Sequence, residues 1–163
     1  MLESYRDLID GLLATPSALR SLLGEPVPGD VPPAVLEILR EIEARERAAL
    51  RRARSVMRKD SVSLRAIEHE PELEALSSGS GSGSGNASGE PSAEATPGEA
   101  EALLMSFNDN RTELISLLVN LTLRDWERPV NHEVLGETVL SEEIEDHLTW
   151  DETIIDRLQA VAS

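Results

Sequence analysis

The chain has no cysteine, one phenylalanine, one tyrosine and two tryptophans in 163 residues. The missing thiol excludes disulfides, thiol nucleophiles and zinc–thiolate sites together. With so few rings the core must be built from Leu, Ile, Val and Ala. That composition suits packed helices better than sheets, which favour aromatic and β-branched residues. Basic side chains are also scarce, 15 Lys+Arg against 31 Asp+Glu, for a formal charge of −16. A surface of that sign gains nothing from phosphate attraction and argues against nucleic acid and anionic membranes as partners. No apolar run reaches the roughly 18–20 residues of a membrane span. The opening residues, MLESYRD, are acidic and helical in pattern, unlike a secretory signal. A soluble, cytoplasmic, single-domain protein spanning 1–163 is the expectation.

The charge is uneven. Residues 1–76 are nearly balanced, with 11 basic and 14 acidic side chains, whereas residues 101–163 hold 4 and 14. Between them, residues 77–95 read SSGSGSGSGNASGEPSAEA. A Gly/Ser tract of this kind cannot bury enough apolar surface to offset chain entropy and reads as a flexible loop. A natural low-complexity insertion is preferred over an engineered linker. Neither flank offers more than two substantial helices, so one domain interrupted by a loop is the simpler organisation.

Helical periodicity runs through both flanks. Tyr5, Leu8, Ile9, Leu12 and Leu13 fall on one helix face. Thr15-Pro16 then reads as a restart, Thr as N-cap and Pro at the first helical position. A short helix from there stops at Gly24. The Pro- and Gly-rich residues 24–33 form a loop. A helix over 32–58 carries the stripe Val35, Ile38, Leu39, Ile42, Ala49, Ala53, Val56 and Met57, with Glu46 on the same stripe. Its other face, Arg40, Glu43, Arg47, Arg51 and Arg54, reads as solvated. Thr96-Pro97-Gly98-Glu99 is a capping box opening a helix through Leu103, Phe107, Leu114, Leu118 and Leu121 to about Arg124. Residues 125–138 are irregular, and a last helix spans about 139–161. No strand pattern competes. The fold class expected is all-α, a four-helix bundle with the long Gly/Ser-rich loop between the second and third main helices.

Motifs for phosphate cradling, zinc proteolysis and serine hydrolysis are missing. The Asn-x-Ser/Thr matches at Asn86, Asn110 and Asn120 lack an export signal. Polar residues on apolar stripes are what remain. Glu46 is one. His147 and Asp151, one turn apart beside Ile144, Leu148 and Ile155, are the others. Such a pair can hydrogen-bond or chelate from one face. It reads either as a metal or acid–base site in the bundle core or as a His–Asp pair at the edge of the stripe, half in water. His69 and His132 fall in loops, and Trp126 and Trp150 read as packing residues.

The order of these features resembles the DinB-like superfamily, which includes YfiT-type hydrolases and bacterial thiol transferases. The run 107–158, FNDNRTELISLLVNLTLRDWERPVNHEVLGETVLSEEIEDHLTWDETIIDRL, follows the family succession of Phe, Arg-x-x-x-Leu, Asp-Trp-x-Arg, His…Gly and a final helix. Glu41-Ile42…Glu46-Arg47 with RARSVMRKDSVSL resembles its second helix. The resemblance implies a four-helix bundle, a homodimer, and a nickel or zinc site of three histidines. Those three positions correspond here to Glu41, Trp150 and Ile154, none of them His. Asp151, Glu46 and His132 match the family's Asp, Glu and loop His. Trp and Ile cannot ligate such a cation, so a non-catalytic or divergent member with no cofactor is expected. Trp150 and Ile154 would then fill the former pocket. The alternatives are a metal-dependent hydrolase or thiol S-transferase on a shifted set of Glu41, His147 and Asp151, and an acidic dimeric adaptor for a basic partner.

Overall fold

The computed structural model describes residues 2–59, 61–79 and 98–162. It is mostly helical. In chain order the elements are α1 (Leu2–Leu23), α2 (Pro33–Arg58), β1 (Val62–Leu64), a single 3-10 turn (Ile67–His69), α3 (Pro71–Gly79), α4 (Glu99–Val119), α5 (Leu123–Trp126), β2 (Pro129–His132), β3 (Gly136–Val139) and α6 (Leu140–Ala162). Most of the Gly/Ser tract at 77–95 lies outside the described residues; its first three positions end α3. Four long helices pack on one another: α2 against α4 and α6, and α1 against α6 and α4.

One local reading is corrected by this arrangement, and another falls outside the described residues. Helix α1 does not restart at Thr15-Pro16 but runs through to Leu23, closed by Gly24, whose N–H donates to the Arg20 carbonyl at 2.8 Å. An interior proline deprives the carbonyl four residues earlier, here Leu12, of its helical donor. Arg111 Nη1 supplies the replacement at 2.8 Å, which is why the helix can continue. Thr96 and Pro97 lie outside the described residues, and the N-cap of α4 is Gly98, at φ 81 and with no side-chain cap bond. Among the described residues a capping box forms between Thr122 and Asp125, each satisfying the other's backbone N–H at 3.1 Å to open the one-turn helix α5.

Strands are also present. β1 pairs parallel with β2, Val62 opposite Val130, and β2 pairs antiparallel with β3. They are three or four residues long and bury only Val62, Leu64, Val130 and Thr138, too few for an alternating pattern to register. The β2–β3 connection is a three-residue loop. His132 Nδ1 accepts from the N–H groups of Val134 (3.0 Å) and Leu135 (3.2 Å), and Gly136 takes φ 78. His132 is thus a turn-former. Nothing lies within 4 Å of where a Cβ on Gly136 would stand, so Gly136→Ala should cost only the left-handed backbone penalty, about 1–2 kcal/mol. Urea unfolding checks this; an unchanged midpoint would contradict the turn.

The apolar core falls into two clusters. One gathers Leu19, Leu36, Leu39, Ile42, Leu104, Phe107, Ile154 and Leu158, among others. The second gathers Leu12, Leu50, Ala53, Leu114, Leu118, Trp126, Leu140 and Ile144, with the inward residues of β1 and β2. On every long helix a polar residue stands between the two: Thr15 on α1, Glu46 on α2, Arg111 on α4, and His147 with Asp151 on α6. All five are buried.

Candidate functional site

Those five residues form one hydrogen-bonded layer across the core, centred on Arg111, which is 1% exposed. Its Nε and Nη2 hold Glu46 in a two-pronged grip at 2.7 and 2.8 Å. Nη1 and Nη2 reach Asp151 Oδ2 and Oδ1 at 2.9 and 3.1 Å. With the Leu12 carbonyl on Nη1, all five N–H donors of the guanidinium are used. Its plane also lies over the Phe107 ring, 4.9 Å from the centroid. Asp151 Oδ2 accepts additionally from the Thr15 hydroxyl at 2.7 Å. His147 Nε2 stands 2.9 Å from Glu46 Oε1 and 3.3 Å from Arg111 Nη2. Facing an ionised carboxylate, Nε2 is the protonated nitrogen and donates. His147 Nδ1 is buried with no hydrogen-bond partner.

Burial by itself would push the Glu46 carboxyl up. The adjacent charges of Arg111 and His147, and the hydrogen bonds both donate, more than offset this and hold it at about 2. Arg111, in turn, is pushed down by burial but raised on balance by Glu46 and Asp151. The layer is therefore a fixed ion network, with its guanidinium and the Glu46 carboxylate locked in their charged forms.

A second buried guanidinium joins α2 to α6. Arg52, 1% exposed, grips Glu143 at 2.7 and 3.1 Å and also reaches Glu70 (2.8 Å) and the Arg65 carbonyl (2.7 Å).

The shifted ligand set is not assembled. Glu41 lies partly exposed at the surface, its carboxylate accepting from Arg157 at 3.3 Å, while His147 and Asp151 turn inward to Arg111. Position 41 is five residues before 46, about 1.4 turns, so it faces away from the layer. The other two family positions carry no donor: Trp150 is half-buried and faces Arg45, and Ile154 lies in the apolar cluster. His147 and Asp151 do not bond to each other and are not half in water; His147 is held by Glu46 on α2 and Asp151 by Arg111 on α4. The solvated face expected on α2 is also corrected in part, since Glu43 is buried, accepting from Arg47 (2.9 Å) and Ser106 (2.8 Å). Among the described residues no group of three or more His, Cys, Asp or Glu side chains is placed to hold a metal ion. The residues do not fit the nickel or zinc that the resemblance implies. Two of the three positions lack a donor atom, and the donors that do converge already surround a cation of the protein's own.

Arg111 is the residue that sequence reasoning passed over. The signal was available: position 111 is Phe107 plus four and Leu114 minus three, the same spacing that singled out Glu46. A charged residue at such a position of an apolar stripe needs an opposite charge at the same level of a neighbouring helix.

Compared with protein-family models, curated proteins and solved structures, the chain has no match in any of the three. No helix of the described residues is long and apolar enough to cross a membrane.

Proposed function

We propose that the chain is a divergent, non-catalytic DinB-like four-helix bundle, a small-molecule-binding or structural homodimer in place of a metalloenzyme. One observation carries the reading. The centre of the core, where side chains of all four long helices meet, is filled by Arg111 with every donor engaged. Glu46, Asp151 and His147, the groups there able to bind a metal or move a proton, are spent on that guanidinium or packed against it. A general base must keep a lone pair within reach of substrate, and Glu46 instead holds two hydrogen bonds from Arg111 and one from His147.

The test is elemental analysis of untagged protein. The expected result is nickel, zinc and iron all far below one atom per chain, with no gain after incubation with each ion and desalting. Stoichiometric metal would overturn the reading. Sedimentation at micromolar concentration tests the dimer separately, with a single monomeric species counting against it.

A further inference from the structure

Beside the polar layer, on the side of the β2–β3 loop, a cavity of about 170 Å³ opens between α2, α6 and the 3-10 turn. Its walls include Ala49, Ile67 and Ile144, with Val134 and Leu135 at the rim, 68% and 55% exposed. Arg45 lies in its wall and is only 4% exposed. Unlike Arg111 and Arg52, Arg45 makes no hydrogen bond among the described residues: its Nε is buried without a partner, and the nearest carboxylate oxygen, on the exposed Asp146, is 3.7 Å away. Its guanidinium lies over the Trp150 ring, 4.5 Å from the centroid. His147, whose Nδ1 is likewise buried without a partner, also lines the cavity.

A buried cation with unmade hydrogen bonds is costly, and native proteins pair such groups. The carboxylates around Arg45 do not supply the pairing. Glu143 is taken by Arg52 through both oxygens, while Glu68 and Asp146 are exposed.

We propose that this cavity binds a small monocarboxylate with a compact apolar body, its carboxylate on Arg45 and its body among Ala49, Ile67 and Ile144. The planar guanidinium fork, held flat by Trp150, matches a carboxylate. The space suits a ring-sized body, since a cavity of about 150 Å³ accommodates benzene. Glu68, Glu143 and Asp146 around the site repel a doubly charged phosphate more strongly than a single carboxylate. The inference does not depend on the family reading, because it uses none of the family positions as a ligand contact.

Titration of the full chain with sodium benzoate, followed by calorimetry and by amide NMR shifts, tests it. The expected result is saturable one-to-one binding with shifts centred on Arg45, Ala49 and Ile144. Benzyl alcohol and inorganic phosphate should bind at least about tenfold more weakly, the loss of a charge-assisted pair. Arg45→Met should lose about tenfold or more in benzoate affinity, and Asp146→Asn should gain a few-fold by removing the nearby negative charge. Should Arg45→Met not fold by circular dichroism, Val134→Glu at the exposed rim replaces it, with weaker benzoate binding at an unchanged melting temperature. No saturation by about 20 mM would overturn the proposal. Benzyl alcohol binding as tightly as benzoate, or variants binding like the wild type, would overturn it equally.

Discussion

Arg111→Met should lower the unfolding free energy by about 3–5 kcal/mol, the usual consequence of removing one partner of a buried ion network. Methionine matches much of the arginine volume, so a cavity contributes little. The loss comes from what remains: Glu46 without its two-pronged partner, Asp151 with only the Thr15 hydroxyl, and the Leu12 carbonyl again without a donor. These groups are 2% exposed or less, with water too far to substitute. Adding Glu46→Gln and Asp151→Asn to the same chain should return part of the loss, since both amides remove an uncompensated charge. Urea unfolding with a constant slope is the measurement. A loss below about 1 kcal/mol, typical of an exposed pair, would show that the layer is not a dry network.

The second large effect is acid sensitivity. Glu46 is held at about 2 in the folded chain against an ordinary 4.5. A group depressed on folding binds more protons in the unfolded state, so its contribution is complete above about pH 4.5 and is lost as pH falls towards 2. The amount is on the order of 3 kcal/mol at neutral pH. Other carboxylates are depressed too, and Glu101 is held at about 2 by hydrogen bonds from Arg20 and the Val27 N–H. Glu101 is a quarter exposed, so salt screens its share, whereas the buried layer is screened far less. Unfolding free energy measured from pH 5 to pH 2 in about 0.5 M salt, several times physiological ionic strength, should therefore still fall steeply in the wild type and fall less in Glu46→Gln. Parallel curves for the two proteins would sink the assignment of the acid limb to Glu46.

Much of the helical framework was legible from spacing alone. Leu12, Leu39, Leu114, Ile144 and Leu158 are all fully or almost fully buried, as their three- and four-residue intervals require. The continuous α1 was not, because Thr-Pro is a good helix start and the compensating donor, Arg111, lies 99 residues away in sequence. The strands were not, because each contributes one or two buried side chains and gains its pairing from a distant segment. Of the candidate site, Glu46, His147 and Asp151 were visible as polar interruptions of apolar stripes. Their common partner was visible by the same rule but needed a comparison of all four helices at one level. Arg45 and Arg52 were hidden for another reason. Helix α2 is enclosed on several sides between Ile42 and Leu50, so its charged face is only in part a solvated one.

The division of the core into two apolar compartments also sets how the helices may be aligned. Leu, Ile and Ala surfaces are interchangeable, and an all-aliphatic bundle could slide one helix by a turn, about 5.4 Å, and repack at little loss. Here such a slide would carry Asp151 or Glu46 into an aliphatic compartment and leave Arg111 facing leucine. Only one vertical alignment lets all five donors find oxygen. The polar layer thus acts as an index mark shared by α1, α2, α4 and α6, giving an almost ring-free core the uniqueness that shape complementarity between aromatic side chains would otherwise supply.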